Sequence, residues 1–569
     1  MHGKTGGSRT AGPWRIAALA LAAALSAQAP AETRREIEML PGECWWGVAN
    51  RFGPSMPFTA STSVKIDLRK DGGSNQYASF MVSDKGRAIW CEDQAEFKIA
   101  GGKIRVTSAA APVEVAEKAG GNLREAFLYA SKRWFPPSGK APDMLFFAAP
   151  QYNTWIELTY NQNEKDILAY AESMVANGFP PGVLMIDDTW QAGYGDWRFE
   201  PSRFPDPKGM VRKLHAMGFK VVLWMCPFVG MDTPSFRRIE YGDEPLTGRR
   251  LKERGGFLRD RDGGNPACVR WWNGYSALLD FTHPFARKWF KGECDRLVAE
   301  YGADGFKFDG GHLPFYSKGL KAHDAGASGG EQVLGYARFA LEYPVCEYRN
   351  AWRFQGVGVV ERLHDKRHRW GDLRDLVPAM ASGGLLGHPF MCPDMVGGGE
   401  WTSFRPGAKI DQELFVRSAQ VHALCPMMQF SASPWRVLDK KHQDAVKKAV
   451  AVRQRFAREF AKLAQECAAT GEPMLRNLEY AYPGMGYAKV KDQFMMGDFL
   501  LVAPQMEKGG KKRKVLIPPG TWIGSSGRRI EGPCEIVEET PLARLPFYLE
   551  AEKCARRGMD PRAFAPGGE

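Results

Sequence analysis

The chain has 569 residues, a length that exceeds one hydrophobic core and predicts about two to four domains. Its formal net charge of +12 is spread over N-terminal basic residues and surface runs such as Lys508–Lys514, and no RNA- or DNA-binding motif accompanies it. The composition therefore excludes a small single-domain protein and gives no reason to expect a nucleic-acid partner.

Residues 1–31 have the pattern of a secretory signal peptide, with a basic start, an apolar stretch from Ile16 to Leu25 and small residues around Ala29. The apolar stretch is too short to span a bilayer, and no later segment reaches transmembrane length. We therefore expect a secreted or periplasmic protein without a transmembrane segment. The 11 cysteines leave at least one thiol unpaired; we expect most to be buried and leave open one or two disulfides.

Residues 32–142 alternate apolar and polar side chains over short stretches such as Ser63–Leu68. Turn signals interrupt them at close intervals, as at Gly101-Gly102, and the proline-rich segment Pro136–Pro142 follows. This pattern predicts an N-terminal β-sandwich domain that ends at about residue 142.

Residues 143–470 alternate helix-like and strand-like segments, and several of the strand-like segments end on acids. Examples are Val183–Asp188, Ser276–Asp280 and Gly305–Asp309. Strands that end in functional side chains and are separated by helices predict a (β/α)8 TIM barrel with its site at the carboxyl ends of the strands. A doubly wound sheet would give the same local pattern, but its phosphate-binding glycine-rich turn is missing after the first strand.

Two segments of this region, 231–275 and 310–362, are too long for simple connections, and we assign them to loops over the active-site face. Residues 438–467 predict a long charged helix that closes the barrel region. The chain then returns to β-type segments, so residues 471–569 are expected to form one or two small C-terminal β-domains.

The chemistry suggested by these acids is glycoside hydrolysis with retention of configuration. That reaction needs two carboxylates about 5 Å apart, one as the nucleophile and one as the acid and base. Asp309 is the first candidate, and Lys307 shares its face of the strand and would keep it ionised. Asp372 is the second, with Asp375 and Asp394 left open as alternatives. His312 and His388 have no further ligands at suitable spacing, so we expect no metal and no cofactor.

The chain resembles glycoside hydrolase family 31, the retaining α-glycosidases, over nearly all of its length after the leader. The resemblance rests on seven segments that stand in the family's order: Phe80–Arg87, Phe204–Met210, Asp280–Pro284, the strand that ends at Asp309, Trp370–Asp372, Glu413–Arg417 and Gly497–Pro504. It implies a TIM barrel, a glycoside or oligosaccharide substrate, Asp309 as the nucleophile and Asp372 as the acid/base.

Within that family the chain resembles the myogenesis-regulating glycosidase subgroup, which looks like α-galactosidases. The residues that carry this likeness are Ile186–Trp190, Tyr194–Asp196, Leu223–Phe228 and Met427–Trp435. In that subgroup Gln429-Phe430-Ser431 replaces the Arg-x-His of many family α-glucosidases, which favours galactose over glucose.

The resemblance also implies a sugar pocket. Asp187 and Asp188 would hold sugar hydroxyls, although adjacent strand residues point to opposite faces and only one is required to touch sugar. Arg369 and Lys307 would bind the sugar and steer the nucleophile. The remaining expected pocket residues are Trp155, Trp224, Gln429 and Trp435; the alternative for Trp155 and Trp224 is a place in the core. The family's nucleophile motif continues to a glutamate where this chain has His312, so we expect altered substrate contacts there.

The sequence therefore predicts a secreted retaining exo-α-glycosidase, with α-galactosidase as the favoured activity. An α-glucosidase or α-xylosidase with the same machinery is the alternative within the family. A glycan-binding protein without catalysis is the alternative from another class.

Overall fold

The computed structural model describes residues 32–70, 75–242, 255–316 and 319–564. The proposed signal peptide lies outside these ranges. Within them, no helix is both long enough and apolar enough to cross a membrane. All eleven cysteines fall in the described ranges and are free thiols; nine of them are buried.

A parallel eight-stranded sheet forms the centre of the molecule and confirms the predicted TIM barrel. The strands, numbered β1 to β8, are Gln151–Asn153, Val183–Ile186, Lys220–Met225, Gly305–Phe308, Val345–Tyr348, Val360–Arg362, Met391–Cys392 and Gln429–Phe430. They follow one another around the sheet in chain order, with β1 also paired to β8. A parallel bridge between Met395 and Gln429 brings the chain after β7 against β8 and nearly closes the barrel.

The barrel strands are short and fully buried, as expected for strands covered on both faces. The barrel interior is unusual in its polarity, because branched apolar residues normally fill it. Here buried polar and charged side chains occupy several strands: Lys307 on β4, Glu347 on β5, Arg362 on β6 and Gln429 on β8. Buried charges require partners: Arg362 and Gln429 contact Glu347, and Lys307 pairs with Asp187.

The sequence analysis placed two barrel segments incorrectly. The strand Gly274–Leu278 before Asp280 belongs to a small antiparallel sheet with Phe228–Val229 and Cys268–Trp271, not to the barrel. The segment 310–362, which we assigned to a loop, contains strands β5 and β6. Both strands are short, with four and three residues, so periodicity could not separate them from a loop.

Helices surround the barrel and connect its strands. The α-helices are Leu123–Trp134, Leu145–Ala148, Trp155–Leu158, Glu164–Ala176, Pro207–Ala216, Pro234–Tyr241, Pro284–Tyr301, Gly329–Ala337, Trp370–Leu385, Gln412–Ala423, Pro434–Val437, Lys440–Thr470, Leu478–Ala481 and Ala551–Arg556. The short 3-10 helices are Asn50–Ser55, Leu313–Phe315, Arg338–Leu341, Trp401–Phe404 and Pro561–Phe564.

The helix Lys440–Thr470 is the long helix that the sequence predicts. Asp439 caps its start through the amide of His442, and Gly471 ends it with a φ of 77°. Arg453 in this helix is fully buried and donates to four backbone carbonyls. Those carbonyls belong to Phe147, Ala423, Cys425 and Pro426, so one side chain ties the helix to the segment before β8.

The N-terminal region consists of two antiparallel sheets that share one core with the barrel. One sheet contains Thr33–Glu38, Lys103–Ser108, Glu96–Ala100 and Val64–Asp67. The other contains Trp45–Ala49, Gln76–Ser83, Ala88–Cys91 and Val113–Ala116. A strand from the barrel region, Ala351–Trp352, joins this second sheet in parallel with Gln76 and Tyr77. The predicted sandwich is therefore completed by residues that follow β5.

The C-terminal region is a six-stranded antiparallel sheet. In sheet order its strands are Leu475–Arg476, Phe494–Met496, Leu500–Val502, Phe547–Glu550, Lys512–Gly524 and Arg529–Glu539. Buried Arg417 of the helix Gln412–Ala423 donates to the carbonyl of Thr540 at 2.7 Å and holds this sheet against the barrel. The domain boundaries at residues 142 and 470 stay predictions. A further antiparallel pair, Gln191–Gly193 with Asp196–Phe199, follows β2.

Candidate active site

Asp309 follows β4 directly and is held in one orientation by three donors. The amide of Gly310 lies 2.7 Å and Nη1 of Arg349 lies 2.9 Å from its Oδ1, and the indole Nε1 of Trp224 lies 3.1 Å from its Oδ2. Its own amide donates to the carbonyl of Met225 at the end of β3. A carboxylate with this many donors has a fixed position, as a nucleophile requires.

The two glycines after Asp309 allow the chain to turn away from β4. Gly310 has a φ of 69° and Gly311 a φ of 65°, values that side chains rarely adopt. A Cβ atom on Gly310 would lie 2.7 Å from the ring of Phe228, so there is also no room for one. The turn is thus specific to glycine and leaves the carboxylate of Asp309 at the strand end.

The charges around Asp309 keep it ionised. Burial alone would raise its pKa, but the positive charges of Arg349, Arg362 and Lys307 hold that pKa far below the usual range. The hydrogen bond from Trp224 acts in the same direction. Asp309 is therefore held in its ionised form.

Arg349 also reaches a second carboxylate, that of Asp365. Its Nη1 pairs with Asp309, and its Nη2 lies 3.8 Å from Asp365 Oδ2. One guanidinium therefore lies between two acids and contacts both of them. The side chain of Asp365 is 36% exposed, whereas that of Asp309 is 9% exposed. Asp365 thus lies at the open side of the pair.

Arg362 at the end of β6 is buried among three carboxylates. It forms a close ion pair with Asp365 and lies 3.3 Å from Glu347 and from Asp394. Burial would raise the pKa of Asp365, but Arg362 and Arg349 lower it below its ordinary value. Burial and the neighbouring charge of Asp365 raise the pKa of Asp394.

Lys307 and Asp187 form a buried ion pair beneath this group. Lys307 Nζ donates to Asp187 Oδ2 at 2.6 Å, and both side chains are nearly inaccessible. Burial opposes the charge of Lys307, but Asp187 raises its pKa above the ordinary value. Lys307 thus acts on Asp309 through its charge, while its hydrogen bond goes to Asp187.

Asp188 belongs to a different hydrogen-bond group. Its Oδ2 accepts from Asn273 Nδ2 at 2.6 Å, its Oδ1 accepts from the hydroxyl of Tyr194 at 3.1 Å, and Asn273 also contacts Tyr194. Burial and the adjacent charge of Asp187 raise the pKa of Asp188 to about 7. The segment 231–275 therefore supplies Asn273 to the site, as expected of a loop over the active-site face.

Aromatic rings surround the two groups of acids. Trp224 bonds Asp309, and its ring contacts that of Tyr194 at 6.2 Å. Trp155 packs edge-on against Tyr160, whose pKa is raised by burial and by the charges of Asp188 and Asp187. Trp224 thus contacts the site directly, while the expected place of Trp155 in the pocket stays a prediction. Sugars present apolar faces that such rings can contact.

Trp272 forms part of the outer rim. It is 43% exposed, and its ring lies parallel to that of His312 at 6.3 Å. The guanidinium carbon of Arg349 lies 5.7 Å from the same ring. His312, which replaces the family's glutamate, is therefore part of this rim next to the acid pair.

The structure does not place Asp372 beside Asp309. Asp372 lies in the first turn of the helix Trp370–Leu385, and its Oδ2 accepts from the amide of Arg367 at 2.7 Å. With Arg369, which is exposed, it lines a separate small cavity whose described lining residues do not include Asp309. The contacts described for Asp372 and Arg369 are thus with this cavity and not with Asp309, and their expected roles stay predictions.

Two further expected pocket residues lie elsewhere. Gln429 is fully buried inside the barrel, where its Nε2 donates to Glu347 at 2.8 Å and to Gln151 at 3.1 Å. Trp435 packs against Phe179, which lies between the helix Glu164–Ala176 and β2. Gln429 therefore supports the charged interior, and Trp435 belongs to the outer packing.

The residues that sequence reasoning missed are Arg349, Arg362, Asp365 and Asn273. Three of them follow the same rule that identified Asp309, since Arg349 follows β5, Arg362 ends β6 and Asp365 lies three residues beyond it. Recognising β5 and β6 as strands would have found them. Asn273 carries no such signal, because it reaches the site from the small antiparallel sheet.

No group of three or more histidine, cysteine or acidic side chains suited to a metal ion occurs among the described residues. The acids of the site are paired with Lys307, Arg349 and Arg362.

Known families and proteins share this architecture. The model of the Glycosyl hydrolases family 31 TIM-barrel domain matches residues 148–334, and that of the Glycosyl hydrolase family 31 C-terminal domain matches residues 471–554. The myogenesis-regulating glycosidase of Mus musculus is 33% identical over 449 residues, which cover 77% of this chain and 60% of that protein. The alpha-xylosidase of Emericella nidulans is 26% identical, covering 84% of this chain and 61% of that protein.

The chain thus spans about three fifths of the length of these two relatives. Among solved structures, a GH31 alpha-xylosidase from a soil metagenome complexed with xylose superposes with a TM-score of 0.77 at 21% identity. That match covers 94% of this chain and 81% of the other, and it supports the fold. By its two matching domains and by its identity to the mouse glycosidase, the chain belongs to glycoside hydrolase family 31.

Proposed function

We propose that the protein is a retaining exo-α-glycosidase in which Asp309 is the nucleophile and Asp365 is the acid/base. The observation that carries this proposal is the guanidinium of Arg349 between the two carboxylates. The two acids differ in exposure, because Asp309 is buried and held ionised while Asp365 is more exposed and faces the rim. The neighbouring arginines lower the pKa of Asp365 as well, so the protonated form that the first step needs is its minor form in the free protein.

In the first step an oxygen of Asp309 bonds to the anomeric carbon while the bond from that carbon to the leaving oxygen breaks. Asp309 Oδ2 is suited to attack, since its neutral partner Trp224 leaves it more electron density than Oδ1, which is bonded by Arg349. Protonated Asp365 gives its proton to the leaving oxygen. The products of this step are a β-glycosyl ester on Asp309, a carboxylate on Asp365 and the free aglycone.

In the second step Asp365, now ionised, removes a proton from a water molecule. The water oxygen bonds to the anomeric carbon, and the ester bond to Asp309 breaks. The sugar leaves with its original configuration, and both acids return to their starting states. Arg349 contacts both carboxylates, so it stabilises the charge as it moves from one to the other.

The favoured substrate is a terminal α-galactoside. This preference rests on the resemblance to the myogenesis-regulating glycosidase subgroup alone. Gln429 adds no sugar contact to it, because its side chain is buried under the site. The hydrogen-bonded group of Asp188, Tyr194 and Asn273 supports an exo mode, since it offers several polar atoms to sugar hydroxyls at one end of the site. An α-xylosidase is the second candidate, because relatives with that name match most of the chain.

Hydrolysis of aryl α-galactoside, α-xyloside and α-glucoside by the same preparation separates these candidates. The proposal expects the α-galactoside to have the highest kcat/KM, and no turnover of it beside turnover of another substrate would end the galactose assignment. Proton NMR of the first-formed sugar reports the stereochemistry, and a β-anomer as the initial product would refute the double displacement. Binding of galactosides without turnover of any substrate would favour a glycan-binding protein.

We also propose that the protein is exported, on the basis of the leader-like residues 1–31. Fractionation of cells that express the full chain, followed by N-terminal sequencing, tests this. The expected result is mature protein outside the cytoplasm with a new terminus near Ala29 or Ala31. Uncleaved protein in the cytoplasm would contradict it.

A further inference from the structure

The arginines of the site are anchored by an amide from the N-terminal sheet. Gln76, which is fully buried, donates from its Nε2 to the backbone carbonyls of Arg349 at 3.1 Å and of Arg362 at 3.0 Å. The adjacent Asn75 donates to the same carbonyl of Arg362 at 3.1 Å. Asn75 and Gln76 of the N-terminal region thus bind the backbone of Arg349 and Arg362, the two arginines of the barrel site.

The orientation of the Gln76 amide is fixed. Both carbonyls are acceptors, so the atom between them must be the NH2 group. The oxygen at the other side of the amide accepts from Asn50 Nδ2 at 2.6 Å. All polar atoms of the Gln76 side chain are therefore satisfied, and the group is held from both sides.

The Gln76 bridge between Arg349 and Arg362 lies just beyond the residues through which β5 and β6 are paired. Strands β5 and β6 are paired through Glu347 with Val360 and through Tyr348 with Glu361. Arg349 and Arg362 are the next residues, and the backbone of each is held on its outer side: the amide of Arg349 donates to the carbonyl of Phe308, and Arg362 pairs with Cys392 of β7. Between the two residues themselves, the amide of Gln76 joins their carbonyls and so helps to set the spacing of their backbones.

We propose that Gln76 is a positioning residue for catalysis: by joining the carbonyls of Arg349 and Arg362 it fixes the separation of their guanidinium groups. Arg349 contacts Asp309 and Asp365, and Arg362 contacts Asp365. Their separation therefore sets the distance between the two acids. The expected effect on rate rests on the proposed function. The expected effect on the positions of Arg349 and Arg362 does not depend on it.

The test compares the wild-type protein with Gln76→Met, which keeps the length of the side chain and removes the donor. Gln76→Glu serves as a second variant, because it keeps the shape and places an acceptor against the two carbonyls. Gln94→Leu is the matched control: Gln94 also donates from the N-terminal region to a backbone carbonyl, that of Leu68, away from β5 and β6.

We expect both Gln76 variants to fold and to lose about 10- to 100-fold in kcat with little change in KM, because misplaced groups affect the transition state more than binding. The pH dependence of kcat/KM should also move, since the contacts of Asp365 with both arginines change. The Gln94 variant should keep the wild-type values. Folded Gln76 variants with wild-type kcat and pH profile would overturn the inference.

Crystal structures of the wild type and of Gln76→Met give a readout that does not depend on turnover. The inference requires that the guanidinium of Arg349 leaves hydrogen-bond distance of Asp309 in the variant. If it stays, the inference is wrong whether or not the wild type hydrolyses a glycoside. If the wild type is inactive and the guanidinium moves, the proposed function fails and the positioning role stands.

Discussion

Nη1 of Arg349 lies 2.9 Å from Oδ1 of Asp309. The partner of the nucleophile is thus an arginine from the next strand of the barrel and not Lys307, which shares the strand of Asp309 but bonds to Asp187. The other end of the same guanidinium faces Asp365. In the proposed double displacement, one cation therefore contacts both the nucleophile and the acid/base.

Replacing Asp309 with alanine should lower kcat on the order of 10⁴-fold, a loss typical of removing a nucleophile. Added azide should occupy the space of the missing carboxylate and attack the anomeric carbon from the same side. The product would be a β-glycosyl azide, identified by NMR. Wild-type turnover by this variant would show that another group is the nucleophile.

The Asp365→Ala and Asp372→Ala variants form a matched pair that decides which carboxylate is the acid/base. The first should lose about 10²- to 10⁴-fold in kcat/KM on substrates with poor leaving groups, and much less on an activated dinitrophenyl glycoside. Azide should rescue it with formation of an α-glycosyl azide, because the ester on Asp309 still forms.

The Asp372→Ala variant should stay near wild type, since that carboxylate accepts from the amide of Arg367 and lines another cavity. The reverse result, with Asp372 essential and Asp365 dispensable, would contradict the assignment made from the structure.

The pH dependence of kcat/KM should show a decline as the pH rises. Protonated Asp365 is needed for the first step, and because Arg362 and Arg349 lower its pKa, that form becomes scarcer with each unit of pH. Asp309 stays ionised, so it contributes no loss at acidic pH. Activity that increases from about pH 5 to about pH 8 would be incompatible with this account.

Asp188 should add a second inflection near pH 7, where it gains its charge beside Asp187. The Asp188→Asn variant has no proton to lose and resembles the neutral acid in shape. Its profile should keep the decline due to Asp365 and lack the inflection near pH 7. An inflection that persists in the variant would have to be assigned to another group.

Arg453→Met should destabilise the protein by about 3 kcal/mol or more, because it leaves buried carbonyls without donors and each costs about 1–3 kcal/mol. Arg455→Met on the same helix is the control, since Arg455 is exposed and donates to the backbone carbonyl of Phe564. Urea unfolding measures both. Equal midpoints for the two variants would rule out the stabilising role of Arg453.

The sequence predicted the barrel and the acids Asp187, Asp188 and Asp309 because each ends a strand long or apolar enough to recognise. Asp365 was not predicted, because β6 has only three residues and Asp365 lies beyond its end. Asp372 was chosen from the local motif Trp370-Gly371-Asp372. The fold shows that its carboxylate accepts a hydrogen bond from the amide of Arg367, just before the helix Trp370–Leu385. Gln76 lies 273 residues from Arg349, and no local pattern links the two.

The strand Ala351–Trp352 has a consequence for biogenesis. It fills one edge of the Gln76–Ser83 strand, yet it follows β5 in the chain and is therefore synthesised long after that strand. Until then the nascent N-terminal unit exposes unpaired amides and carbonyls, which favour strand exchange with other chains. The two units therefore mature as one, and fragments cut between them should aggregate when expressed separately.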